Sequence, residues 1–168
     1  ECLAHLEGVV VETFKPGELG FLGYADSDGA VVFYRSPARR HTHRSAFDVD
    51  GLTSLPRVDI VYVYQGADGL VVRCLVEHGV EGIVLASAGG GSLTPGVEEA
   101  AAEAVRRGVA VVLSSRSGQG RVALTPRREA QGFVAADNLN PQKARVLLML
   151  ALTLTRERAA IQRLFDEH

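Results

Sequence analysis

Four short stretches hold the residues whose types and spacing could do chemistry. The first is SAGGGSLTP, residues 87–95. An apolar run leads into three glycines, a serine and a helix-like segment, which is the order of a phosphate cradle. A dinucleotide loop needs G-x-G-x-x-G. Gly89 and Gly91 supply the first half, but the third position falls on Thr94. A P-loop needs G-K-[ST], and the only lysines are Lys15 and Lys143. The glycines therefore read as a tight strand-to-helix turn, where positive φ and close approach are needed. Ser92 can also offer its hydroxyl to a small polar ligand. Helix N-terminal amides near Thr94 would favour a carboxylate there. The second stretch, SSRSGQGRV (114–122), places Arg116 at the same point of the next unit. It could bind a carboxylate or tie down neighbouring carbonyls or an acid. The third, PRREAQG (126–132), is read as a polar loop with the lone Glu129. The fourth, RRHTH (39–43), carries His41 and His43 with only Asp48 nearby, too few ligands for a metal site. No nucleophile–base pair, metal cluster or phosphate loop emerges, and no cofactor is expected.

The elements that must position these groups follow from periodicity. VDIVYVY (58–64), GIVLAS (82–87) and VAVVLSS (109–115) are short apolar runs with the length of buried strands, and GFVAAD (132–137) is a short fourth. Between them lie helical segments. DGLVVRCLVEHG (68–79) has Asp68 near its N-cap and Gly79 just past its end. Leu70, Val71, Cys74 and Leu75 form its expected apolar face, with Cys74 a buried free thiol. PGVEEAAAEAVRRG (95–108) starts with proline and ends with Arg106 and Arg107, which suits the helix dipole. NPQKARVLLMLALTLT (140–155) starts at an Asn140 cap with Pro141 behind it, and residues 156–168 form a last amphipathic helix. Strands alternating with helices predict a parallel sheet covered on both faces. Ligands in such sheets bind at the carboxyl ends of the strands.

The N-terminal region has a different character. GVVVETF (8–14) and two short runs around Asp28-Gly29 read as β structure, the latter as a hairpin. The polar stretch up to Pro56 reads as a linker. The division is therefore 1–34, a β segment; 35–56, the linker; and 57–168, a small three-layer α/β domain. Net charge is −2 and pI about 6.2, which favours neither nucleic acid nor an acidic membrane surface. No apolar run reaches the ~18 residues of a membrane span. Cys2 and Cys74 match no metal spacing and make no disulfide framework. His5, His78 and His168 are scattered and expected to be solvated. The sequence opens ECLAHLEG, without methionine or a signal-peptide pattern, so a removed leader or a longer parent is expected. The compartment is not fixed by anything in the sequence.

Several stretches go beyond composition. Residues 33–68 with P-x-R-x-H-T, then GVEGIVLASAGGGSL, AVVLSSRSGQG and GFVAADNLNPQKARVLLMLALTLT, occur in order over nearly the whole chain. Together they resemble the second half of bacterial-type L-asparaginases, including glutaminase-asparaginases. The resemblance implies a flavodoxin-like small C-terminal domain behind the end of a larger N-terminal α/β domain. It implies hydrolysis of L-asparagine to aspartate and ammonia by a threonine nucleophile. The family's T-G-G-T-I and G-T-D-T motifs do not occur in these residues, so the nucleophile is expected outside them and the chain by itself is expected to be inactive. It also implies a homodimer or dimer of dimers, in which the partner's small domain closes each active site against the substrate's α-amino end. Ser92 matches the family's Asn or Ser after the glycine-rich loop. Glu129, the only glutamate between Arg121 and Gly132, matches its substrate-binding and supporting catalytic glutamate. The alternative from a different class is a non-catalytic binding or oligomerisation module derived from this small domain. A third is the related amidotransferase subunit acting on glutamyl-tRNA.

Overall fold

The computed structural model describes residues 20–25 and 27–168. The expected strand 8–14, together with Cys2, His5 and Lys15, lies outside the described residues. The chain divides into two compact units between Ala38 and Arg39.

In the first unit, β1 (Gly23–Ala25) pairs antiparallel with β2 (Val31–Phe33). The turn works as its sequence requires. The Asp28 carboxylate accepts the Ala30 N–H at 2.8 Å, and Gly29 takes φ +80, a conformation that glycine adopts without steric cost.

In the second unit, β3 (Val58–Tyr62), β4 (Gly82–Ser87), β5 (Ala110–Ser115) and β6 (Val134–Ala135) form one parallel sheet in that order. The helices are α1 (Leu70–Glu77), α2 (Pro95–Arg106), α3 (Pro126–Ala130), α4 (Pro141–Leu154) and α5 (Arg158–Glu167). These are the layers of a flavodoxin-like domain. The register pairs even residues with even ones, Val58 with Gly82 with Ala110, and Val112 with Val134. Side chains alternate along a strand, so parity decides the face. Odd-numbered Val61, Ile83, Leu85, Val111, Leu113 and Ala135 enter one core with α1 and α2. Even-numbered Val58, Val84, Val112 and Val134 enter the other with α4 and α5. All six residues of β4 are buried, which is why residues 83–86 are continuously apolar rather than alternating, and why the closing Ser87 must bond its hydroxyl within the protein.

α1 corrects the expected apolar face. Val72 is buried, with Leu75 and Val76 packed beside it, while Leu70, Val71 and Cys74 are exposed. Cys74 is thus a surface thiol. The helix carries two apolar stripes out of phase, and either satisfies the 3.6 period. The entry selects between them. Gly69, at φ +83, lies so close to α2 that a Cβ there would sit 2.4 Å from the Gly96 carbonyl oxygen.

α4 begins as expected. The Asn140 side chain accepts the Lys143 N–H at 2.9 Å, and Pro141 stands in the first turn. Asn140→Ala is expected to lower stability by about 1 kcal/mol, measured as the shift in urea midpoint at constant m. One further departure and one unforeseen contact stand out. His168 is half-buried: its Nε2 accepts the Ala46 N–H at 3.1 Å and its ring lies 4.9 Å from Phe47. Glu81, in the turn before β4, is gripped by the Arg156 side chain and the Arg57 N–H, which hold its carboxyl below the usual carboxylate range. Among the described residues, no helix is long and apolar enough to cross a membrane.

Candidate functional site

Three serines meet at the carboxyl ends of β4 and β5, and all three are engaged. The buried Ser87 hydroxyl donates to the Ser114 carbonyl at 2.9 Å. Ser114 donates to the Leu139 carbonyl at 2.7 Å, tying the strand to the cap of α4. Ser115 and Ser117 share a hydroxyl–hydroxyl bond of 2.7 Å. Their role is to fix the loops, because a buried hydroxyl must find a partner.

Beside them a cleft of about 240 Å³ opens, lined among others by Tyr62, Ala86, Ser115, Arg116, Asn140 and Gln142. The even parity of Tyr62 and Ala86 puts it on the α4 side of the sheet. The Arg116 guanidinium lies over the Tyr62 ring, 5.1 Å from its centre. Among the described residues it therefore ties down no carbonyl and no acid, the structural one of the two roles expected of it. Its charge is stabilised by the ring face instead, and the side chain stays exposed at the cleft mouth.

The glycine-rich loop is a tight turn, as its spacing implies. Gly91 N–H and Ser92 N–H both donate to the Ala88 carbonyl, at 3.2 and 3.0 Å. Gly89 and Gly91 take φ +51 and +100. A Cβ at Gly91 would sit 3.1 Å from Val122 Cγ1, so a tight contact adds to the conformational preference for glycine there. Thr94 turns away from its own helix and donates to the Ala67 carbonyl at 2.6 Å. Ser92 is left exposed at the rim, and its hydroxyl has no hydrogen-bond partner among the described residues. It does not line the Arg116 cleft.

Glu129 corrects a second expectation, for it stands on a helix. Thr125 accepts the Arg128 N–H as N-cap of α3, and Pro126 opens the first turn. Glu129 is 61% exposed and pairs with Arg158 on α5 at 3.3 Å. It lines a second cleft of about 230 Å³ with Arg121, Asp137, Arg158 and Gln162. Ser92 and Glu129 share neither cleft. His43 is exposed on a 3-10 turn, Thr42–Arg44, and His41 is exposed as the extended residue just before it. Between them Thr42 sits at φ +52 and donates to the His41 carbonyl at 2.8 Å, with both Nδ1 atoms 3.4 Å from its hydroxyl.

With this geometry in hand, the family description Glutaminase/Asparaginase C-terminal domain matches residues 57–165. The chain belongs to this asparaginase family. It is 46% identical to L-asparaginase 2 of Escherichia coli over 162 residues, covering 94% of this chain and 46% of the relative. It is 42% identical to L-asparaginase 2 of Bacillus subtilis, covering 94% of this chain and 41% of the relative. The probable cytoplasmic L-asparaginase of Campylobacter jejuni superposes with a TM-score of 0.90 at 44% identity, over 95% of this chain and 51% of that one. The chain thus spans about half the length of the asparaginases it matches. One group escaped the sequence reading of this asparaginase domain, the Asp137 carboxylate with Arg39 and Arg121 around it. Its only sequence trace is the Asp137-Asn138 pair just after a strand, since these residue types tolerate left-handed φ.

Proposed function

We propose that this chain is the C-terminal portion of an L-asparaginase, and that Ser92 and Glu129 complete the active site of a neighbouring subunit. In that enzyme a threonine outside these residues attacks the side-chain amide of asparagine and expels ammonia. Water then releases aspartate from the ester. The observation that carries this reading is Ser92 itself: an exposed hydroxyl without a partner among the described residues, held at a strand's carboxyl end by a turn in which Gly89 and Gly91 take positive φ. Exposed apolar side chains on β3, its following loop and α1 favour assembly, because Tyr62, Tyr64, Leu70 and Val71 are each more than half exposed.

The two residues are expected to behave differently. Ser92→Ala in the full-length enzyme removes one neutral hydrogen bond, so KM for asparagine rises about fivefold with kcat nearly unchanged. Glu129→Gln removes a charge-assisted contact to the substrate ammonium and raises KM about tenfold or more. Glu129 must exchange its Arg158 contact for the substrate, and a variant lacking Arg158 should show that competition as a lower KM. Unchanged KM in both the Ser92 and the Glu129 variants would overturn the assignment.

A non-catalytic module is the second reading. It is favoured by the completeness of the second unit, which has an apolar core on each face of its own sheet. A chain that sediments as a stable oligomer, and gains no asparaginase activity when supplied with an N-terminal half, would support it.

A further inference from the structure

Asp137 holds two distant segments at once. It leaves β6 at φ +52, a region non-glycine residues seldom occupy. Its carbonyl accepts the N–H of the buried Val122 at 2.9 Å. One carboxylate oxygen accepts Arg121 Nε at 2.6 Å, and the other accepts Arg39 Nη2. The carboxylate is 20% exposed, so solvent screens these pairs only in part. Arg121 and Val122 belong to the loop between β5 and α3. Residues 116–121 of that loop are all exposed, with Gly118 and Gly120 at positive φ. Arg39 is the first residue of the second compact unit. Just beyond it, Arg40 N–H donates to the Glu167 carbonyl at 2.8 Å and its side chain pairs with the Glu167 carboxylate at 3.1 Å.

We infer that Asp137 is a positioning residue that couples the segment entering this unit to the loop that runs into α3. The cause is shared ordering. Once one arginine has fixed the carboxylate rotamer and the strained backbone, the second ion pair forms with less entropy to lose. Coupling between two contacts is reciprocal. Loosening the entry segment therefore loosens the loop, and the reverse holds to the same degree. The coupling rests on these contacts alone, so it stands whether or not Glu129 touches substrate.

The test is single-amide hydrogen exchange by NMR on these 168 residues. Arg39→Gln should speed exchange of the Val122 amide about fivefold or more, although Arg39 does not touch it. Arg121→Gln should speed the Arg40 amide by the same factor. Asp137→Asn tolerates the left-handed backbone and should speed both. Arg127→Gln, whose partner is Glu98, should speed neither. Both arginines lie at least partly exposed at the surface, so these variants keep the test decisive even if the Asp137 variant fails to fold. If each arginine variant speeds only the amides of its own segment, the coupling is overturned.

Discussion

Gly69→Ala is expected to lower the stability of the second unit by about 3 kcal/mol, read as a fall of about 10 °C in Tm. Two effects add. Gly69 has φ +83, where alanine is strained by about 1 kcal/mol. The new Cβ would also sit 2.4 Å from the Gly96 carbonyl oxygen and 2.8 Å from the Ala100 Cβ. The approach is mutual, since a Cβ on Gly96 would lie 2.7 Å from the Asp68 carbonyl oxygen. Backbone atoms cannot swing aside as a side-chain end can, so α1 must lift from α2, which breaks the packing of Val72 against the core. Gly79→Ala is the matched control. It has φ +74 with nothing within 4 Å of its Cβ position, and should lower stability by only about 1 kcal/mol. Equal losses in the two variants would show that backbone strain alone acts, and that the contact between the helix starts does not set the rotation of α1.

That same contact explains why some of the fold was legible and some was not. β4 and α4 could be read because each carries its own evidence. β4 carries a continuous apolar run, residues 83–86, shortly before three glycines, and α4 opens with Asn140 and Pro141 in their preferred places. α1 was legible as a helix but not in its rotation, which is decided by a glycine contact nearly thirty residues away. α3 was missed because five residues are too few to show a period. Thr125 followed by Pro126 was the available signal. The site divides in the same way. Glycine spacing marked the turn that presents Ser92, because conformation at a glycine is a local property. Glu129's pairing with Arg158, Arg116's place on the Tyr62 ring and the double hold on Asp137 join residues far apart in sequence. Local pattern has no access to such contacts.

The second large effect is on activity. Incubated with L-asparagine, these 168 residues are expected to release no ammonia above the uncatalysed rate. Supplying the N-terminal half of the family's enzyme should raise the rate by at least about 10⁶-fold. Amide hydrolysis needs a nucleophile, a base that takes its proton, and donors facing the developing oxyanion. The described hydroxyls do not meet these needs together. Ser87, Ser114 and Thr94 each donate to a carbonyl. The Cys74 thiol lies 3.8 Å from His78 Nδ1, but that nitrogen is 2.8 Å from the Cys74 carbonyl, and both residues are exposed, Cys74 on α1 and His78 at its C-cap. Thr42 comes nearest, with an imidazole nitrogen on either side at 3.4 Å. Its proton is directed to the His41 carbonyl, and it lies exposed outside both clefts, where water competes for every contact. Ammonia released by these residues alone, and lost in Thr42→Val, would place a nucleophile in this chain and overturn the division of labour between the two halves. Release that persists in Thr42→Val but vanishes in Cys74→Ser would point to the thiol. No activity after the N-terminal half is supplied, with the two halves shown to associate, would favour the non-catalytic module.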